Sequence, residues 1–84
     1  MQPVRVYTTR ICGYCMMAKR LLRSREIPFL ELDVSQDPET RAWLVESTGQ
    51  RTVPQIFVGE QSVGGYRELA ALARSGQLDA LLRA

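Results

Sequence analysis

The sequence predicts an α/β fold in which a four-stranded mixed sheet carries helices on both faces, in the order βαβαββαα. Three observations predict it. Short runs rich in β-branched and aromatic residues recur at 4–7, 28–34, 55–58 and 61–63. Helical patterns separate the first from the second and the second from the third, so the first two strands are joined by a crossover and run parallel. The last two runs flank Gly59-Glu60, a two-residue hairpin turn that makes them antiparallel. With no repeat, linker or low-complexity stretch, residues 1–84 read as one domain, able to bury about 60–65% of its unfolded surface.

Each element has its own warrant. Val4-Arg5-Val6-Tyr7 is the first strand, and Thr8 to Ile11 reads as a loop. From Cys15 the pattern turns helical, with Ala18, Leu21 and Leu22 on one face and Lys19, Arg20 and Arg23 on the other. Pro28 to Val34 alternates Leu30, Leu32 and Val34 with polar partners, as a second strand does. Asp37 is placed to cap a helix, Pro38 suits its first position and Gly49 its end. Trp43, Leu44 and Val45 are expected to face the core, and Met16-Met17 and Trp43 are assigned to packing. Gln55–Val58 and Gln61–Val63 form the hairpin. Tyr66–Arg74 and Leu78–Leu82 are helical, broken at Ser75-Gly76.

Composition excludes several classes of function. The net charge of +2 comes from scattered Lys and Arg, with no basic stripe interleaved with aromatics, so no nucleic-acid partner is expected. No window approaches the ~20 apolar residues that cross a bilayer, and the opening MQPVRVYTTR has no apolar run of signal length. No membrane association is expected, and the expected location is the cytoplasm. The chain has no histidine, which removes Cys-His and Ser-His nucleophile pairs and His-containing zinc sites.

What remains is thiol chemistry. The two cysteines, Cys12 and Cys15, are separated by Gly13-Tyr14. A structural disulfide closing so short a loop stabilises by only about 2 kcal/mol, and a persistent disulfide is disfavoured in the cytosol. A zinc site would need a dimer to assemble four thiolates. A redox-active pair is the favoured reading, with a metal or cluster ligand and inert thiols as alternatives. At the start of a helix Cys12 meets unpaired N–H groups. Lowering a thiol pKa by three units takes about 4 kcal/mol, of which a helix dipole gives at most about 2 kcal/mol. Direct N–H to sulfur bonds, with Arg10 and Lys19 as nearby cations, are expected to supply the rest. Cys12 is therefore the expected nucleophile and Cys15, one turn further in, the shielded resolving thiol.

Together C-G-Y-C at 12–15, T-V-P at 52–54 followed by Gln55-Ile56-Phe57, and Gly64-Gly65 before the third helix make the chain resemble a glutaredoxin of the thioredoxin superfamily over essentially its whole length. The resemblance implies a thioredoxin-like fold and a glutathione-dependent thiol–disulfide oxidoreductase, with glutathione as co-substrate and oxidised or glutathionylated proteins as partners. It implies a cis Val53-Pro54 bond against the thiol loop, with the Val53 backbone pairing to the peptide part of glutathione. Gly65 would allow the N–H groups of Tyr66 and Arg67 to hold the γ-glutamyl carboxylate. Tyr14 would border the groove, and Arg41 would meet the glycine carboxylate. A monomer is expected. The chain departs from the pattern at Gly13, where most dithiol relatives carry Pro, at Thr9, where many have Lys, and at Arg67-Glu68, often an acidic pair. A small residue at position 13 also admits a second reading, a dimeric carrier or sensor holding a [2Fe–2S] cluster through Cys12 and glutathione.

Overall fold

The computed structural model describes residues 1–84. In chain order the elements are β1 (Val4–Thr8), α1 (Gly13–Ser24), β2 (Leu30–Asp33), α2 (Pro38–Thr48), β3 (Gln55–Val58), β4 (Gln61–Gly64), α3 (Tyr66–Ser75) and α4 (Gln77–Arg83). The sheet runs β2-β1-β3-β4. β1 pairs parallel with β2 and antiparallel with β3, and β3 pairs antiparallel with β4. The predicted βαβαββαα order and mixed sheet are what the chain forms.

Alternation along β1 divides the core in two. Val4 and Val6 point to one face and pack with Ala18 and Leu22 of α1, Ile56 and Val58 of β3, Leu69 and Ala73 of α3, and Leu78 and Leu82 of α4. Tyr7 points to the other face and packs with Val34, Leu44 of α2 and Phe57. Helices thus cover both faces. The α2 boundaries follow from its caps: Asp37 accepts the Thr40 N–H at 3.1 Å, Pro38 opens the helix, and Gly49 closes it with φ 72°.

Five expectations change. Thr8 belongs to β1 and is buried. The helix begins at Gly13 rather than Cys15, because Cys12 itself is the cap. Leu30 is 59% exposed, at the start of β2, which is an edge strand. Met16 and Met17 are exposed, because Cys15, Ala18 and Leu22 form the inward stripe of α1. Trp43 is also partly exposed, although its ring stacks on Phe57 at 5.7 Å and tilts over Tyr7 at 5.9 Å.

Candidate active site

β1 ends beneath the loop that delivers Cys12 to the N-terminus of α1. Cys12 has an extended backbone, φ −152° and ψ 104°, and its sulfur accepts the Cys15 N–H at 3.1 Å. A thiol is thus doing what Ser or Asp does at an ordinary N-cap. That donor and the helix dipole both favour negative charge on this sulfur. Cys15, 1% exposed, lies on the inward stripe of α1, while Cys12 is half-buried at the surface. The two are joined as a disulfide with Cα atoms 5.2 Å apart, so the structure is the oxidised form.

Of the two cations expected to assist, Lys19 is engaged elsewhere. Lys19 Nζ lies 2.9 Å from Glu31 Oε2, the molecule's one ion pair. Thr8 Oγ1 donates to the same oxygen at 2.8 Å. The Lys19 ammonium holds the Glu31 carboxyl below its usual pKa against the opposing effect of burial, with a lesser contribution from the Thr8 hydroxyl. Arg10 donates its backbone N–H to Ser35 Oγ, and its charge helps to lower the Asp33 pKa, an effect due first to the hydrogen bonds from Ser35. The local stabilisation of sulfur visible here therefore comes from the α1 backbone.

Opposite the disulfide, the Val53–Pro54 peptide is cis, and the Val53 carbonyl oxygen lies 3.6 Å from Cys12 Sγ. A groove of about 360 Å³ opens alongside, within the range of roughly 300–1,000 Å³ usual for small-molecule sites. Tyr14, Val53, Pro54, Gly65, Tyr66 and Arg67 all line it, although they come from three separate stretches of chain. Tyr14 and Tyr66 stack across it at 6.2 Å. Gly65 brings no side-chain acceptor to the start of α3, so the N–H groups of that first turn remain for a ligand, while Glu68 accepts the Gly65 N–H at 2.8 Å. A Cβ on Gly65 would lie at ordinary contact distance, 3.5 Å, from the Pro54 carbonyl oxygen and 3.3 Å from the Glu68 carboxylate.

Arg41 is not in this groove. It lines an adjoining depression of about 220 Å³ together with Arg51, and the two hollows share Gln50, Thr52 and Val53. Gln50 and Arg51 are lining residues that the sequence reading passed over, and Thr52 entered it only as part of the T-V-P motif. They sit in a loop without periodicity, and only their proximity to Pro54 marks them.

A surface thiol at a helix start, a buried partner thiol one turn away and a thioredoxin-like scaffold define a thiol–disulfide oxidoreductase. The glutaredoxin family model matches residues 4–63. Over 84 residues the chain is 50% identical to a glutaredoxin of Pseudomonas aeruginosa, covering all of both chains. It is 41% identical over 83 residues to glutaredoxin 3 of Escherichia coli, covering 99% of this chain and 100% of that one. Among solved structures, a buckwheat glutaredoxin–glutathione complex superposes with TM-score 0.91 at 30% identity, covering 98% of this chain and 77% of that one. A Brucella melitensis glutaredoxin superposes with TM-score 0.87 at 46% identity, covering 98% and 89%. The chain belongs to the glutaredoxin family.

Proposed function

We propose that this glutaredoxin is a glutathione-dependent reductase of protein–glutathione mixed disulfides and of protein disulfides. The observation that carries the reading is the convergence of Tyr14, Val53, Pro54, Gly65, Tyr66 and Arg67 on one groove beside the Cys12 sulfur. The buckwheat relative solved with glutathione supports the same ligand.

In the reduced protein the Cys12 thiolate attacks the glutathionyl sulfur of a mixed disulfide. The Cys12–glutathione bond forms, the old sulfur–sulfur bond breaks, and the protein thiolate leaves and takes a proton from water. A second glutathione thiolate then attacks the glutathionyl sulfur, releasing oxidised glutathione and restoring the Cys12 thiolate. With a protein disulfide, Cys15 attacks the Cys12 sulfur of the mixed disulfide, frees the substrate thiol and leaves the Cys12–Cys15 bond that the structure contains. The bound tripeptide is held by strand-like pairing to the Val53 backbone, by the first-turn N–H groups of Tyr66 and Arg67 on its γ-glutamyl carboxylate, and by Arg41 on its glycine carboxylate. The protein acts as a monomer in the cytosol, where a reduced glutathione pool drives the cycle.

The residues present do not compose a cluster site within one chain. No three His, Cys, Asp or Glu side chains of one chain lie close enough together to hold a metal ion, so a cluster would need Cys12 and glutathione from two copies. A steady-state assay of mixed-disulfide reduction with glutathione as sole donor tests the proposal. Turnover that saturates with glutathione is expected, and turnover indifferent to it would refute the reading.

A further inference from the structure

The two hollows beside Cys12 carry more positive charge than their neighbours neutralise. Arg41 comes from α2, Arg51 from the loop before Pro54 and Arg67 from the start of α3, yet all three line hollows that share Val53. None of their guanidinium groups makes an ion pair or a hydrogen bond within the protein, whose one ion pair is Lys19–Glu31. Two carboxylates come near enough to matter. Glu68 lines the groove but accepts the Gly65 N–H at 2.8 Å. Asp37, one helical turn before Arg41, places both oxygens on Thr40, at 3.1 and 2.7 Å. Three cations thus face solvent beside a sulfur that must meet another protein's sulfur. Ile11, next to Cys12 in the chain, is 98% exposed.

We infer that this face selects oxidised protein segments carrying acidic residues beside the reacting cysteine. The inference rests on the thiol–disulfide activity proposed above and names the substrate class of that site. An extended segment paired to the Val53 backbone projects its side chains over Arg41, Arg51 and Arg67, where carboxylates are attracted and Lys or Arg side chains are repelled. Ile11 offers an exposed apolar contact beside Cys12. The chemical step is unchanged. Cys12 forms the mixed disulfide with one substrate sulfur, the other substrate sulfur leaves as a thiolate, and Cys15 completes the two-electron reduction.

The test uses protein reduced beforehand with a dithiol that is then removed, with no glutathione present. It is mixed with two disulfide-containing peptides of equal length, one with Glu and Asp and one with Lys and Arg around the bond, and with uncharged hydroxyethyl disulfide as the chemical control. At low salt the acidic peptide is expected to react at least about tenfold faster than the basic one, relative to the control. At roughly 1 M salt the preference should shrink to less than about threefold. Arg51→Glu should lower or invert the ratio. Equal peptide rates at low salt, or a preference that survives both high salt and Arg51→Glu, would overturn the inference while leaving the oxidoreductase intact. Failure to reduce the uncharged disulfide would instead refute the underlying reading, and this inference with it.

Discussion

The Cys15 N–H that reaches Cys12 Sγ at 3.1 Å makes the two thiols unequal. One is an accepting cap at the surface and the other is buried in the helix stripe. Their variants should therefore part company. Cys15→Ser is expected to keep reducing glutathione mixed disulfides and to lose most activity on protein disulfides, whereas Cys12→Ser loses both in the same steady-state assays. Glu31 allows a second prediction. The Lys19 ammonium lowers its folded pKa below the usual 4.5, so the stabilisation from the ionised form is complete above that value and disappears as pH falls through the folded pKa. Because the pair is partly exposed and screened by solvent, it contributes under about 1 kcal/mol. Thermal melts should show Glu31→Gln slightly less stable than wild type at neutral pH, with the gap closing in acid below 4.5.

At the scale of elements, α1 is the one whose start decides the chemistry. Gly13 is its first residue, a Cβ there would meet nothing within 4 Å, and Cys12 before it is extended. Pro suits a first helical position and requires an extended predecessor, so Gly13→Pro should stabilise the fold by about 0.4–1 kcal/mol, read from denaturant midpoints. A loss of stability would contradict this account of the helix entry. The sequence already showed where most elements lie, because Asp37-Pro38, Gly49, Gly59-Glu60 and Gly76 are local signals that act on their own neighbours. It was less informative where distant partners decide. The helical pattern placed the start of α1 at Cys15 because a cysteine is not an ordinary cap. Lys19 looked free to serve the thiolate because its carboxylate partner lies twelve residues away in β2. Leu30 looked like a core residue because alternation along a strand does not reveal that the strand is at an edge.

Across the whole molecule, β1, the Thr52–Pro54 stretch and the Gly64–Gly65 corner are brought to one end of the sheet by the packing of α1 and α3 over Val6 and Ile56. Leu69 is fully buried in that layer, beneath the first turn of α3 that faces the groove. Leu69→Ala should cost about 2–5 kcal/mol of stability, measured by denaturant unfolding. The cysteines, Tyr14, Pro54 and Gly65 were legible because their residue types and spacing form a combination. Arg51 and the placement of Arg41 in a neighbouring hollow were not, since exposed arginines carry no sequence signal of what they adjoin. The central claim is that the α1 N-terminus holds Cys12 as an anion. Its most direct test is the rate of alkylation of reduced Cys15→Ser protein across pH. The rate should reach its plateau by about pH 6, well below the ordinary thiol value of about 8.5, and a midpoint near 8.5 would contradict the account.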